Sequence, residues 1–400
     1  MKLVLHIGTE KTGTTLLQDW LYANKAALSE QGVFLSAVMG QTNNRKIVSY
    51  FQTSLDDFTR RNKIHSQAEK AAYFEGFEAE VRAEIKAGAA EHHTMVITSE
   101  HFHSRLCNRK EIQALAAFLK EQFREVKVLC YFREQASMRE SLYSTGLKVS
   151  EGRPLELFHA DAGSQSYYYN FLQIATRWSE AFGEENMDFR IYDRARFCEQ
   201  DIRKDFLAAL PEAVDQTRLS FDRSSANESL SLLQGRMLQV INRNIPFWNT
   251  NVGVNPVNGV FKGLVARCKG LSHGQIRDRD SATFSKRFAE SNREFLERFM
   301  PGQKGCADVA PAATRQDDSL PLEVVADVVE EITDVFTTAV GTRILLDEDA
   351  VVLRDLALKY DSGAALERHE ALALMRLAQR VRPWGPVITE KIKDWESSDS

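Results

Sequence analysis

The feature that most constrains the fold of this chain is the segment GTEKTGTT at residues 8–15, which separates a short apolar run from an amphipathic one. Residues 2–7 (KLVLHI) have the pattern of a buried strand, and apolar side chains recur at helical spacing after the loop, to about Leu28. Another apolar run, residues 33–35, follows Gly32. Strand, loop, helix and strand predict a βαβ unit, whose two strands run parallel.

The same alternation recurs along the first half of the chain. Strand patterns occupy residues 94–99, 126–132 and 187–192, and helical patterns occupy 112–119 and 171–178. Strands separated by helices form parallel sheets that helices cover, so the predicted fold class is α/β, an open parallel sheet flanked by helices.

The second half of the chain has weaker strand signals. Residues 245–275 predict a long loop or a β excursion, residues 302–320 an exposed connection, and helices are expected at 281–300, 321–340 and 365–380. We therefore predict one domain over residues 1–300, with insertions at about 36–70 and 145–170, and a helical C-terminal extension over 301–400.

Composition excludes several classes of partner. The net charge of −5 gives no global basic field for nucleic acid or an anionic membrane, so an anionic ligand needs a local positive site. The five cysteines are scattered without a CxxC pair, which favours neither disulfides nor zinc and predicts a cytoplasmic protein. The N-terminal apolar stretch is too short for a signal peptide, and we expect no transmembrane segment. A homodimer is left open.

The loop at residues 8–15 has the composition of an anion site. Gly8 and Gly13 let the backbone curl around an anion, and the first N–H groups of a helix donate to it, together with the hydroxyls of Thr14 and Thr15. Lys11 adds a full positive charge. The alternative is a plain glycine turn with a solvent-exposed lysine.

The position of the lysine separates this loop from a related one. The triphosphatase loop G-x-x-x-x-G-K-[ST] has the same glycine spacing, but here Thr14 takes the lysine position and Lys11 comes three residues earlier. A lysine inside the loop lies closer to the first anionic centre. The loop therefore suits a 5′-phosphosulfate better than a triphosphate with magnesium.

A second candidate site follows the strand at 126–132. Arg133 ends that strand, and Ser141 comes eight residues later on the next predicted helix. Ligands of open α/β sheets bind beyond the carboxyl ends of the strands, where an arginine can hold a phosphate through two hydrogen bonds. The alternative is an arginine paired with Glu134 or Glu140.

Together these motifs resemble the PAPS-dependent sulfotransferase family, in particular a bacterial, carbohydrate-type branch; PAPS is 3′-phosphoadenosine 5′-phosphosulfate. HIGTEKTGTTLLQ (residues 6–18) is similar to the family's phosphosulfate loop, VLCYFREQASMRESLY (128–143) to its 3′-phosphate site, and FRIYDRARF (189–197) to a segment whose tyrosine lies near adenine. The resemblance implies a P-loop nucleotide-kinase-like fold, no metal requirement, and a donor site built from Lys11, Thr12, Gly13, Thr14, Thr15, Arg133, Ser141 and Tyr192. Tyr192 is equally consistent with a half-buried strand aromatic.

Two features depart from the family pattern. Some members carry a tryptophan directly after the loop, where this chain has Leu16. Their C-terminal R-K-G segment has only a faint counterpart here, in residues 261–263 (FKG).

The resemblance also implies the chemistry, an in-line transfer of a sulfuryl group to an acceptor hydroxyl or amine, with Lys11 at the leaving oxygen. The general base is expected after the strand at 94–99, where Glu100 is the first choice and His101 and His103 are alternatives. Glu100 could instead pair with an arginine. The acceptor, a small molecule or a carbohydrate, is expected at residues 36–70 and 148–170, the latter with Lys148, Arg153 and three consecutive tyrosines at 167–169.

Two other functions compete with this one. A phosphotransferase or kinase of similar fold would need a lysine at position 14 and an acidic residue for magnesium. A non-catalytic nucleotide-binding module would use the helical C-terminus to bind a partner.

Overall fold

The computed structural model of the chain describes residues 1–222, 230–249, 253–278, 280–302, 324–325, 328, 331–332, 347–363 and 366–397. Its centre is a sheet of five strands: β1 (Lys2–His6), β2 (Val33–Leu35), β3 (Thr94–Thr98), β4 (Glu125–Phe132) and β5 (Met187–Ile191). The strand order is β2-β3-β1-β4-β5, and every neighbouring pair is parallel. This confirms the predicted α/β class with an open parallel sheet.

Helices fill the connections and cover the sheet. Those before β5 are α1 (Thr14–Ala23), α2 (Lys25–Ser29), α3 (Arg45–Phe51), α4 (Asp57–Arg61), α5 (Gln67–Tyr73), α6 (Phe77–Gly88), α7 (His101–Arg105), α8 (Arg109–Gln122), α9 (Gln135–Val149) and α10 (Phe171–Phe182). After β5 come α11 (Ile202–Leu207), α12 (Leu232–Asn244), a short antiparallel pair β6 (Trp248–Asn249) and β7 (Gly253–Val254), then α13 (Pro256–Arg267), α14 (Ser281–Lys286) and α15 (Ala289–Phe299).

The sheet is buried on both faces, as its nearly all-apolar strands predict. Side chains alternate between the faces along each strand. Leu3 and Leu5 of β1 pack on one side with α8 and α10, whereas Val4 packs on the other with Trp20 of α1 and Phe206 of α11. The strand ends are thereby fixed relative to one another, which places the loops that follow them.

The strand order creates a crevice at one edge of the sheet. The chain leaves β1 toward β2 and β3 on one side, and later leaves β4 toward β5 on the other. The loops after the adjacent strands β1 and β4 therefore diverge, and such a switch point is where open α/β sheets bind ligands.

Three predicted elements differ from the structure. The predicted helix to Leu28 breaks at Asn24, whose side-chain amide nitrogen donates to the Trp20 carbonyl and to the Ser220 carbonyl of a distant segment. The predicted helix at 281–300 is two helices, because the backbone at the fully buried Phe288, with φ −108° and ψ −2°, departs from regular helix values between α14 and α15. The described part of residues 245–275 holds the β6–β7 pair, which agrees with the predicted β excursion, and also α13, which was not predicted.

The C-terminal extension is helical, as predicted. The described residues form two compact units, Met1–Val265 with Ser272–Ser319, and Ala266–Leu271 with Leu320–Ser400. In the second unit α16 (Asp347–Leu358), α17 (Arg368–Val381) and α18 (Pro386–Ser397) pack around Met375, Ile392 and Trp395. The helix expected at 365–380 is confirmed. The predictions for 302–320 and 321–340 fall largely outside the described residues, and the boundary at residue 300 stays a prediction.

A helix that crosses a bilayer needs about 20 mostly apolar residues. Within the described ranges no helix is both long enough and apolar enough to cross a membrane.

Candidate functional site

The loop between β1 and α1 is wound tightly by residues with positive φ. Gly8, Lys11 and Gly13 have φ values of +30°, +68° and +71°, and Gly13 caps α1 in the left-handed conformation. A Cβ at Gly8 would lie 3.0 Å from Thr14 Cγ2 and 3.2 Å from His6 Nε2. The glycines are therefore needed for the loop to close over the end of β1.

Threonine hydroxyls tie the loop to itself and to β4. Thr9 Oγ1 donates to the Tyr131 carbonyl at 3.0 Å, and Thr12 Oγ1 donates to the Thr9 carbonyl at 2.6 Å. Both side chains are buried. Thr12 thus shapes the loop through its side chain, while the N–H groups at the start of α1 have no carbonyl within the helix to bind and suit an anion.

The Lys11 side chain is partly buried and reaches α9. Its ammonium donates to Thr145 Oγ1 on α9 at 2.7 Å. Burial lowers the pKa of Lys11, while the nearby carboxylates of Glu10 and Glu100 act in the opposite direction and favour the charged form. Lys11 is therefore not the solvent-exposed turn lysine of the alternative interpretation.

Arg133 contacts the same loop from the end of β4. Its Nη1 donates to the Lys11 carbonyl at 2.8 Å, and its guanidinium lies 5.7 Å from the centre of the Tyr192 ring. Burial lowers the pKa of Arg133. The two motifs that are far apart in sequence are therefore adjacent in the fold.

The carboxylates expected to neutralise Arg133 are engaged elsewhere. Glu134 accepts the N–H groups of Ala136 and Ser137 and so caps α9, at 3.0 and 2.8 Å. Glu140 accepts the Asp278 N–H at 2.7 Å and pairs with Arg277 at 3.4 Å. Among the described residues neither Lys11 nor Arg133 forms an ion pair, so both cations can meet an anionic ligand.

Ser141 contacts Thr145, the partner of Lys11, and the Tyr192 ring lies below Arg133. Ser141 is one turn before Thr145 on α9, and its carbonyl accepts the Thr145 hydroxyl at 3.2 Å. Tyr192 is half-buried and packs edge-on against Phe197, and its hydroxyl would lie 3.2 Å from a Cβ at Gly13. Tyr192 is thus a half-buried aromatic that also borders the loop; its predicted contact with adenine stays a prediction.

Glu100 lies two residues beyond the end of β3 and contacts α1. One carboxylate oxygen accepts from Gln18 Nε2 of α1 at 2.7 Å, and the other lies 3.8 Å from His101 Nε2. The Glu100 side chain is 17% exposed, and no described arginine pairs with it. The carboxylate is therefore held next to the loop with part of its surface open, as a base for an acceptor hydroxyl requires.

The two histidines differ in accessibility. His103 is 0% exposed, and its Nε2 lies 2.9 Å from the Tyr168 carbonyl, so this nitrogen carries the proton and donates. Burial lowers the pKa of both His101 and His103. His103 cannot reach an acceptor, whereas His101 lies beside Glu100 and is partly exposed.

The predicted acceptor segments are more ordered than their polar sequences indicate. Residues 36–70 contain α3 and α4 and begin α5. Of the three consecutive tyrosines, Tyr167 and Tyr169 are buried in the core, and Tyr168 turns toward the loop after β1. Arg153 pairs with Glu151. This tyrosine cluster therefore serves mainly for packing.

The faint F-K-G counterpart has a structural role. Lys262 donates to the Val149 carbonyl at the end of α9 and lies 4.9 Å from the Phe247 ring centre. It therefore stabilises the C-terminus of α9.

Sequence reasoning missed three contributors: Thr145, Gln18 and the pair formed by Glu10 and Tyr168. Thr145 lies one turn beyond Ser141, and Gln18 lies one turn into the helix after the loop, so helical spacing from the recognised residues would have found both. Nothing in the sequence connects Glu10 to Tyr168, because the two are 158 positions apart.

Metal ions in proteins are commonly held by clusters of His, Cys, Asp or Glu side chains. The described part of the chain contains no group of three or more His, Cys, Asp or Glu side chains that could hold a metal ion.

Known proteins are similar to this chain over part of its length. No family model matches the chain. An uncharacterized protein of Archaeoglobus fulgidus is 28% identical over 244 residues, which cover 59% of this chain and 63% of that protein. The chain thus spans less than two thirds of the curated relative it matches. A crystal structure of a sulfotransferase from Alicyclobacillus acidocaldarius is 17% identical, with a TM-score of 0.33, over 56% of this chain and 85% of that one.

Proposed function

We propose that this protein is a PAPS-dependent sulfotransferase that sulfates a hydroxyl or amine, with a carbohydrate or another hydroxyl-bearing small molecule as acceptor. One observation carries the proposal. A glycine-wound loop with an internal lysine lies beside Arg133 and Glu100 at the carboxyl ends of three adjacent strands, and no described carboxylate pairs with either cation. Cytoplasmic localisation is part of the proposal and rests on the cysteine pattern alone.

The residues present fit a donor with two separate anionic groups. The loop and Lys11 would hold the 5′-phosphosulfate, because the loop closes at Gly8 and Gly13 where side chains would intrude. Arg133 and Ser141, with Tyr192 beside them, would hold the 3′-phosphate. An arginine suits a phosphate because its N–H groups form a planar fork.

The chemistry divides between the donor and the chain. PAPS, when bound, supplies an electrophilic sulfuryl group. Lys11 and the first N–H groups of α1 would stabilise the negative charge that develops on the phosphate oxygen, since Lys11 belongs to the loop that leads into α1. Glu100, held by Gln18, would take up the proton that the acceptor hydroxyl or amine releases. His101 is the second candidate for that base, and His103 is not a candidate because it is buried.

The binding of 3′-phosphoadenosine 5′-phosphate to the full-length protein tests the proposal. Isothermal titration calorimetry would compare this bisphosphate, adenosine 5′-phosphate and ATP with magnesium. We expect tight binding of the bisphosphate and much weaker binding of ATP. Lys11→Ala and Arg133→Ala should each weaken it by at least about tenfold, since a hydrogen bond to a charged group contributes roughly 1.5–3 kcal/mol.

A matched control is available at the other end of the same strand. Arg124 is exposed and directly precedes β4, whereas Arg133 directly follows it. Arg124→Ala should leave the affinity unchanged, and Arg133→Ala should remove most of the preference for the bisphosphate over adenosine 5′-phosphate. A wild-type protein that ignores the bisphosphate and binds ATP with magnesium would overturn the proposal in favour of a phosphotransferase.

A further inference from the structure

The anion loop contains a carboxylate that works against its proposed ligand. Glu10 immediately precedes Lys11, and its side chain is partly buried. A carboxylate in an anion-binding loop repels the anion unless its charge is turned away or compensated. The sequence alone gives no account of how Glu10 is tolerated there.

The structure shows what holds this carboxylate. Tyr168 donates its hydroxyl to Glu10 Oε2 at 2.6 Å. Burial raises the pKa of Tyr168 far above its ordinary value, so the hydroxyl keeps its proton at neutral pH and acts as a donor. Burial favours protonation of Glu10, but the hydrogen bond from Tyr168 and the nearby His103 and Arg105 outweigh it and lower the pKa of Glu10.

Tyr168 is itself fixed to the element after β3. His103 of α7 donates to the Tyr168 carbonyl at 2.9 Å, and the two rings lie 4.8 Å apart. The buried imidazole therefore anchors the backbone of Tyr168 to the same helix that begins beside Glu100. A continuous series of contacts runs from the end of β3, through His103 and Tyr168, to Glu10 in the loop after β1.

We propose that Tyr168 is a positioning residue for the donor site: it holds the Glu10 carboxylate away from the bound anion and couples the segment at 148–170 to the loop that carries Lys11. The inference rests on the proposed function, because it assumes an anionic ligand in that loop. In this proposal Glu10 and His103 position other groups, and neither serves as the base or as a direct ligand of the donor. It also means that a movement of the 148–170 segment changes the affinity of the loop.

The test is the affinity of the full-length protein for 3′-phosphoadenosine 5′-phosphate at pH 7.5. Tyr168→Phe keeps the ring and its packing but removes the hydroxyl, so Glu10 loses the hydrogen bond that holds its carboxylate. We expect about tenfold weaker binding, in the range of one charged hydrogen bond.

Three further variants isolate the cause. Glu10→Gln in the Tyr168→Phe background should restore the affinity, since it removes the charge that the hydroxyl controlled. Glu10→Asp keeps the charge but shortens the side chain, and should reproduce the tenfold loss without altering Tyr168. Tyr169→Phe is the matched control, because the Tyr169 hydroxyl bonds His159 at 2.6 Å and not the loop.

The outcomes separate this proposal from the proposed function. If wild type does not bind the bisphosphate, both are overturned. If wild type binds it but Tyr168→Phe binds equally well, only the positioning role is overturned. The role is also refuted if Glu10→Gln fails to rescue Tyr168→Phe, because a merely structural tyrosine would lose affinity independently of the Glu10 charge.

Discussion

Replacement of Gly13 by alanine is the sharpest test of the loop geometry. Gly13 has φ +71°, a conformation that costs an L-residue roughly 1–2 kcal/mol. An added Cβ would also lie 3.2 Å from the Tyr192 hydroxyl and 3.4 Å from Ile202 Cδ1. Tyr192 would have to shift by a few tenths of an ångström, and Arg133 lies over its ring.

A matched control separates the backbone cost from the contact. Gly76 caps α6 with φ +77°, nearly the same conformation, but a Cβ there would meet nothing within 4 Å. Gly76→Ala should therefore carry only the backbone cost. For roughly 1 kcal/mol the melting temperature of a domain of this size falls by about 2–4 °C.

The assays are thermal unfolding and bisphosphate titration of both variants. We expect both to lose stability, and Gly13→Ala alone to lose affinity, by about tenfold, because the contact displaces Tyr192 and with it Arg133. Adding Tyr192→Phe, which removes the crowded hydroxyl, should recover part of that loss. Equal affinities for the two alanine variants would refute the reasoning that the loop, Tyr192 and Arg133 form one packed unit.

Three other predictions concern catalysis and stability. Glu100→Gln should lower sulfuryl transfer by ~10²–10⁴-fold, with bisphosphate affinity kept within a few-fold of wild type; an unchanged rate would show that another group is the base. Burial lowers the pKa of His6 to about 3, so the folded protein keeps this side chain neutral at pH values where the unfolded chain protonates it. The unfolding free energy is therefore unaffected by His6 above pH ~6.5 and falls below that pH, by about 2 kcal/mol at pH 5. Urea unfolding of wild type and His6→Leu at pH 7.5 and 5 checks this, and equal pH dependence contradicts it. Arg139→Ala should lower the unfolding free energy by about 3–5 kcal/mol, because it leaves Asp278, which is 0% exposed, without its partner; a loss under about 1 kcal/mol in the same assay would refute this.

The sheet and its connections were predictable from sequence because each strand is a short apolar run between helical patterns. The edge of the sheet where Lys11, Arg133 and Glu100 meet also followed, since parallel strands bring their carboxyl ends together. The break at Asn24 did not follow, because it depends on the backbone of Ser220, which is distant in sequence. Local periodicity carries no information about such a partner.

The same limit applies within the site. The burial of His103 and the pairing of Glu10 with Tyr168 depend on how the segment at 148–170 folds back over α7. A histidine at a strand end has the same sequence pattern whether it is a base or an anchor. Only the tertiary packing distinguishes the two roles, and here it makes His103 an anchor.

The most direct test of the central claim is turnover of PAPS itself. Purified full-length protein would be incubated with PAPS and a panel of carbohydrate and other hydroxyl-bearing acceptors, and formation of 3′-phosphoadenosine 5′-phosphate and sulfated product would be followed by mass spectrometry. The account predicts product with wild type and little with Lys11→Ala or Glu100→Gln. Product formation that is insensitive to Lys11→Ala, or transfer of phosphate from ATP with magnesium in place of sulfuryl transfer, would contradict it.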